Sequence, residues 1–177
     1  MRSLTIGGLP GTGSSTLSQL LQEQLDLPYI YAGALFRAEA SRRGMTLAEF
    51  GKACEEDPSC DRELDEHQAN LLADGGILLE GRLAGWLAHS RNFPALKVWL
   101  HCDEDERIRR VTERDGGDLA VQREEAFARQ ASEAERYMKF YAVDLAVTDF
   151  YDLVLDSTSQ SPAALAEIVA KHWNQSS

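Results

Sequence analysis

The sequence predicts an α/β fold, a five-stranded parallel sheet held between two layers of helices in a three-layer αβα arrangement. Three observations predict it. Short apolar runs of strand length alternate with amphipathic stretches of helix length, a pattern that buries a parallel sheet on both faces. The first apolar run leads directly into a glycine-rich turn and a helix. The chain has 177 residues, 44% hydrophobic and 27% charged, which suits one globular domain, 1–177, with a full core.

The elements follow in order. Leu4, Thr5 and Ile6 read as the first buried strand, and Gly7, Gly8, Gly11 and Gly13 as the turn after it. The helix that follows carries Leu17, Leu20, Leu21 and Leu25 on one face. Residues 28–31 form a second strand ended by Gly33, and residues 34–43 a helix stopped by Gly44. Thr46 and Glu49 form a capping box for a helix through Phe50. Asp57 and Pro58 suit the N-cap and first position of a helix with Leu64, Leu71 and Leu72 on one face, ended by Gly75 and Gly76. Ile77, Leu78 and Leu79 are the third strand, running into Glu80, Gly81 and Arg82 and then a short helix with Leu83, Trp86 and Leu87. Val98–Leu100 is the fourth strand. Asp103, with Glu106 three residues on, caps a basic helix that breaks at residues 115–118. A long helix runs from about Val121 to Phe140, and residues 152–155 form the fifth strand. Ser161 and Pro162 open the last helix, and residues 174–177 are a polar end.

The net charge of −11 argues against a nucleic-acid-binding surface. It leaves a small anionic ligand open, because such a site depends on local cations. Most cations here are arginines, which hold phosphate oxygens bidentately. Cys54, Cys60 and Cys102 lack metal-ligand spacing and read as buried free thiols of a reducing compartment. No apolar run approaches the length of a membrane span, and no leader pattern is seen. The expectation is a cytoplasmic protein without membrane contact.

Strand, glycine loop and helix make the layout of a phosphate-binding P-loop, in which backbone N–H groups and the helix start favour an anion. Against the pattern G-x-x-x-x-G-K-[ST], Gly8 and Gly13 are correctly spaced and Ser15 takes the position that ligates Mg²⁺. Ser14 stands where the lysine is expected. In a parallel sheet, ligands sit at the carboxyl ends of the strands. That places residues 8–15, 33–37 and 80–82 around one site. Arg110 and Arg114 share a helical face, as do Arg129 and Arg136.

These residues resemble the nucleoside monophosphate kinases, and most closely the short cytidylate kinases of the archaeal type. The resemblance covers nearly the whole chain. It rests on GLPGTGSST in the P-loop, YAGALFR at 31–37, RRGMTLAEFG at 42–51, EEDPSCDRELDEHQ at 55–68, ILLEGRLAGW at 77–86, ERIRRVTERDG at 106–116, SEAERY at 132–137 and YDLVLDS at 151–157.

The resemblance implies a P-loop kinase fold with a nucleoside-monophosphate-binding segment at about 34–74 and a small lid at about 115–130. It implies ATP and Mg²⁺, CMP or dCMP as acceptor, and a monomer. Gly8, Leu9, Pro10, Gly11, Thr12, Gly13, Ser14, Ser15 and Thr16 would hold the ATP phosphates, with Arg110 by the ATP base. Ser15 and Glu80 would hold Mg²⁺, while Arg37 and Arg82 would grip the acceptor phosphate. Arg82, Arg114, Arg129 and Arg136 would act on the transferring group, the last three supplying charge that Ser14 lacks. Arg107 and Arg109 are expected at the surface, paired with Glu104, Asp105 or Glu113.

Cytosine asks for an acceptor beside a donor, and Asp61, Arg62 and Asp65 fit that need, with Gln68 a weaker candidate. Two other readings stay open: another small-molecule P-loop kinase, like adenylate or shikimate kinase, or a nucleotide-binding regulator that lost catalysis with the lysine.

Overall fold

The computed structural model describes residues 1–175. Its sheet is fully parallel, with strand order β2-β3-β1-β4-β5. The strands are β1 (Ser3–Gly8), β2 (Tyr29–Tyr31), β3 (Leu78–Glu80), β4 (Ala95–His101) and β5 (Leu153–Asp156). The helices are α1 (Ser14–Leu25), α2 (Ala32–Arg42), α3 (Leu47–Glu56), α4 (Ser59–Asp74), α5 (Ala84–Ser90), α6 (Glu104–Asp115), α7 (Leu119–Tyr141) and α8 (Pro162–Gln175).

Side-chain alternation splits the core between the two sheet faces. Leu4, Ile6, Leu78, Val98 and Leu100 face α1 and α8, meeting Leu17, Leu21, Leu165 and Val169. Leu79 faces the other way, toward Ala69 and Leu72 of α4 and Ala84, Leu87 and Ala88 of α5. On that face β1 carries a small residue, Gly7, because any β-carbon there would lie 2.6 Å from the Trp99 ring. A third, separate cluster of Ala40, Phe50, Cys54 and Cys60, with Phe36 and Leu64 against it, ties α2, α3 and α4 together. The three cysteines are buried free thiols.

The expected elements all form, with shifted ends. α2 begins directly at Ala32, because Gly33 has no side chain to collide with the Tyr31 ring folded over it. α4 begins at Ser59 with Pro58 at its N-cap, and the Asp57 carboxylate accepts from the Ser59 N–H at 2.9 Å. The Thr46–Glu49 capping box is present on α3. Residues 119–130 are the first half of α7, joined to α6 by a turn in which Gly116 and Gly117 have φ of 77° and 93°. Asp118 caps α7, accepting from the N–H groups of Ala120 and Val121. The polar end begins inside α8, and residues 176–177 lie outside the described residues. No helix among the described residues is long and apolar enough to cross a membrane.

Candidate active site

A cleft of about 1040 Å³ opens at the carboxyl ends of β1, β2 and β3. β1 lies between β3 and β4, and the chain leaves its carboxyl end as the glycine loop, where an open parallel sheet has its crevice.

One wall is that loop. Gly11 and Gly13 both take φ of 85°. At Gly11 the reason is packing, since a β-carbon would sit 2.4 Å from the Arg107 carbonyl oxygen. At Gly13 the space is open, with only an Arg110 guanidinium nitrogen 4.0 Å from the position a β-carbon would take. Among the described residues no side chain caps the start of α1. The first N–H groups of that helix therefore remain for an anion in the cleft.

The loop is pinned from outside. Arg107 donates to the Pro10 carbonyl at 3.0 Å, and the Ser157 hydroxyl donates to the Thr12 carbonyl at 2.7 Å. Two expectations are corrected here. Arg107 is buried under the loop instead of pairing at the surface, whereas Arg109 does pair with Glu106 and Glu113. Thr12 is buried, its N–H donates to the Leu9 carbonyl, and it serves the loop rather than lining the cleft.

Glu80 ends β3 on the cleft floor. Its Oε1 accepts from the hydroxyls of Ser14 at 2.7 Å and Ser15 at 2.8 Å, and its Oε2 accepts from the Tyr29 hydroxyl. Burial and the Glu80 carboxylate push the Tyr29 hydroxyl pKa upward, so it stays a donor. Ser14 thus fills the lysine position with a group that bonds the floor carboxylate. Tyr29 has no motif of its own; the parallel pairing of β2 with β3 brings it to Glu80.

Arginines make up much of the remaining lining. Arg37 stacks on the Tyr31 ring, its guanidinium carbon 4.9 Å from the centroid. Arg82 and Arg129 converge on Glu133, a buried residue of α7: Arg82 Nε lies 2.7 Å from Oε2, and Arg129 Nε donates to Oε1 at 3.0 Å. Arg136 is buried, donating through Nε to Asp61 at 2.8 Å and through Nη1 to Ser132 at 2.9 Å. Arg110 bonds Glu106 and the carbonyls of Ser157 and Thr158, while the largely exposed Arg114 bonds Asp115. All six arginines line the cleft.

Of the acids and base expected to read a nucleobase, Arg62 is exposed and does not line the cleft, because it lies on the solvent side of α4. Asp61 lines it, but its carboxylate is committed to Arg136. Asp65 also lines it, accepting from the Tyr141 hydroxyl at 2.7 Å and the Gln68 amide at 3.1 Å.

Burial raises the Asp65 carboxyl from the ordinary 3.8 to about 7, with the nearby Asp61 charge adding to the rise. The folded protein therefore binds a proton between these two values that the unfolded chain releases. Stability from this group is full at and below about pH 4 and is lost as pH rises through about 7. The full span is worth at most roughly 4 kcal/mol. In urea unfolding across that range, the stability of the wild type relative to Asp65→Asn is expected to fall as pH rises. A difference independent of pH would remove the shifted carboxyl.

Residues 7–136 match a family model described as an AAA domain. The chain is similar to a cytidylate kinase from Methanococcoides burtonii, 40% identical over 95% of this chain and 94% of that protein. It is also similar to cytidylate kinases from Methanospirillum hungatei, 42% identical over 94% and 93%, and Archaeoglobus fulgidus, 38% identical over 95% and 92%. Among solved structures, a shikimate kinase from Bacteroides thetaiotaomicron superposes with a TM-score of 0.62 at 15% identity, over 98% of both chains. An uncharacterized protein from Eubacterium ventriosum superposes with a TM-score of 0.72 at 16% identity, over 97% of this chain and 98% of that one. These two likenesses concern the fold alone.

Proposed function

The chain belongs to the cytidylate kinase family, and from that premise we propose that it transfers the γ-phosphoryl group of ATP to CMP or dCMP, giving ADP and CDP or dCDP. One observation carries this reading: two anion-binding groups share one cleft. The uncapped start of α1 lines it, and so do Arg37 and Arg82. A donor and an acceptor phosphate brought together there would meet with their charges partly neutralised.

In this reading the loop N–H groups and Thr16 hold the ATP phosphates, with Arg110 and Arg114 beside the nucleotide. Arg37 and Arg82 hold the acceptor phosphate, whose oxygen attacks the γ-phosphorus in line as the bond to the β–γ bridging oxygen breaks. Such transfer needs positioning and charge more than a protein nucleophile. Arg129 and Arg136 add positive charge near the transferring group, compensating for Ser14. Residues 34–74 serve as the acceptor-binding segment and 115–130 as the lid.

The donor set suits Mg²⁺, a hard cation bound through few protein oxygens together with substrate phosphates. Ser15 donates its proton to Glu80, which leaves the hydroxyl lone pairs for the ion, and Glu80 is a carboxylate within reach of its water shell. Bound there, Mg²⁺ would neutralise charge on the β- and γ-phosphates. The protein acts as a monomer with small nucleotides as its partners, in the cytoplasm.

The test is a coupled ADP-release assay with ATP and Mg²⁺, offering CMP, dCMP, UMP, AMP and shikimate in parallel. Turnover with CMP or dCMP well above the others is expected. ATP binding without turnover of any acceptor would overturn the reading.

A further inference from the structure

We infer that Gln68 reads the base: its side-chain carbonyl, aimed into the cleft through Asp65 and Tyr141, accepts the exocyclic amine of cytosine. This rests on the reading of the chain as a kinase for cytosine nucleotides and names the group that makes the choice.

α4 presents Asp61, Leu64, Asp65 and Gln68 to the cleft. Cytosine carries an amine where uracil carries a carbonyl, so the reader must be an acceptor aimed at that position. Asp61 gives Oδ2 to the buried Arg136, which neutralises that carboxylate. Both Asp65 oxygens are taken, Oδ2 by the Tyr141 hydroxyl and Oδ1 by Gln68 Nε2.

Gln68 is different. Its Nε2 also donates to the Leu64 carbonyl at 3.3 Å. A backbone carbonyl can only accept, so the amide has one possible orientation, with nitrogen toward α4 and oxygen away from it. The oxygen, Oε1, lies 3.5 Å from the position a β-carbon would take on Gly81, between Glu80 and the phosphate-facing Arg82. Gln68 is 5% exposed, yet among the described residues Oε1 has no hydrogen-bond partner. Oε1 keeps access to the cleft, where the N–H of a ligand can reach it. The cytosine amine offers that N–H, whereas uracil would set two carbonyl oxygens face to face. Gly81, having no side chain, leaves the approach open.

Tyr141 ends α7, so the chain from Tyr141 to Asp65 to Gln68 joins the lid-bearing helix to the base site. Asp65 is the positioning residue in this chain.

Gln68→Met keeps the length of the side chain and removes both polar atoms. It is expected to lower kcat/KM for CMP by about 10- to 100-fold while changing UMP by less than about threefold. Asp65→Asn can turn its own NH₂ toward Gln68 Nε2 and so removes one of the two acceptors that hold the Gln68 amide. It is expected to move the CMP-to-UMP ratio the same way, which loss of packing alone would not do.

The wild type supplies an independent measurement. The 5′-monophosphate of pyrimidin-2-one riboside lacks the amine and should be used about 10- to 100-fold less well than CMP. Gln68→Met should treat the two alike. The inference is overturned if the wild type uses that analogue within about threefold of CMP, a difference well below one hydrogen bond. An unchanged CMP-to-UMP ratio in Gln68→Met overturns it as well. In both cases wild-type turnover of CMP leaves the kinase reading standing. A wild type that phosphorylates no cytosine nucleotide overturns both.

Discussion

Arg136→Met is expected to destabilise the protein by about 3–5 kcal/mol, because it strands a buried carboxylate. Arg136 and Asp61 have side chains 4% and 7% exposed, with Nε and Oδ2 2.8 Å apart. Both are largely withdrawn from water. Burial already pushes the Asp61 carboxyl upward even with the arginine in place. Without Arg136 that push is unopposed, so the folded state takes up a proton that the unfolded chain does not hold at neutral pH. The loss should therefore shrink as pH is lowered. Urea unfolding at several pH values measures this. The double variant Asp61→Asn/Arg136→Met removes both charges and should recover most of the stability.

Activity separates structure from chemistry at the same residue. A guanidinium on a transferring phosphoryl group contributes large rate factors, so kcat in the stable double variant should remain at least about 100-fold below wild type. Recovery of kcat together with stability would make Arg136 a structural residue only.

Glu80→Gln is expected to lower kcat/KM by about 10- to 100-fold at limiting Mg²⁺, the usual cost of removing a group that orients a metal ligand. The carboxylate accepts from Ser14 and Ser15 on one oxygen and from Tyr29 on the other. An amide has one accepting oxygen, so it must turn its NH₂ toward either the two serines or the tyrosine. With the NH₂ toward the serines, Ser15 loses the acceptor that fixes its hydroxyl. The Mg²⁺ concentration giving half-maximal rate should rise while KM for CMP changes little. A Mg²⁺ titration that overlays the wild type would take Glu80 out of the site.

Much of this arrangement is legible in the sequence. The apolar runs and helical patterns, the glycine spacing and the cap at Asp103 are local, and the capping box at Thr46 and Glu49 forms as its spacing requires. A buried parallel sheet then places whatever follows each strand at one edge, so residues 8–16, Arg37 and residues 80–82 come together without knowledge of the strand order. Helical spacing likewise shows that Arg129 and Arg136 share a face.

Partners are another matter, because they depend on how distant helices cross and how strands register. Asp61 and Arg136 are 75 residues apart, and only the crossing of α4 and α7 makes one the counter-ion of the other. That crossing converts the expected base reader into a structural anion, and it sends the Tyr141 hydroxyl to Asp65. The β2–β3 register sets Tyr29 beside Leu78, and from there its hydroxyl reaches the Glu80 carboxylate two residues on. Arg107 looks like any member of a solvated basic helix until α6 packs beneath the glycine loop and buries it against Pro10. Local periodicity fixes which face a side chain occupies. Which charge or hydrogen-bond donor it meets there is set by desolvation between elements far apart in the chain, and that is decided only when the tertiary structure closes around them.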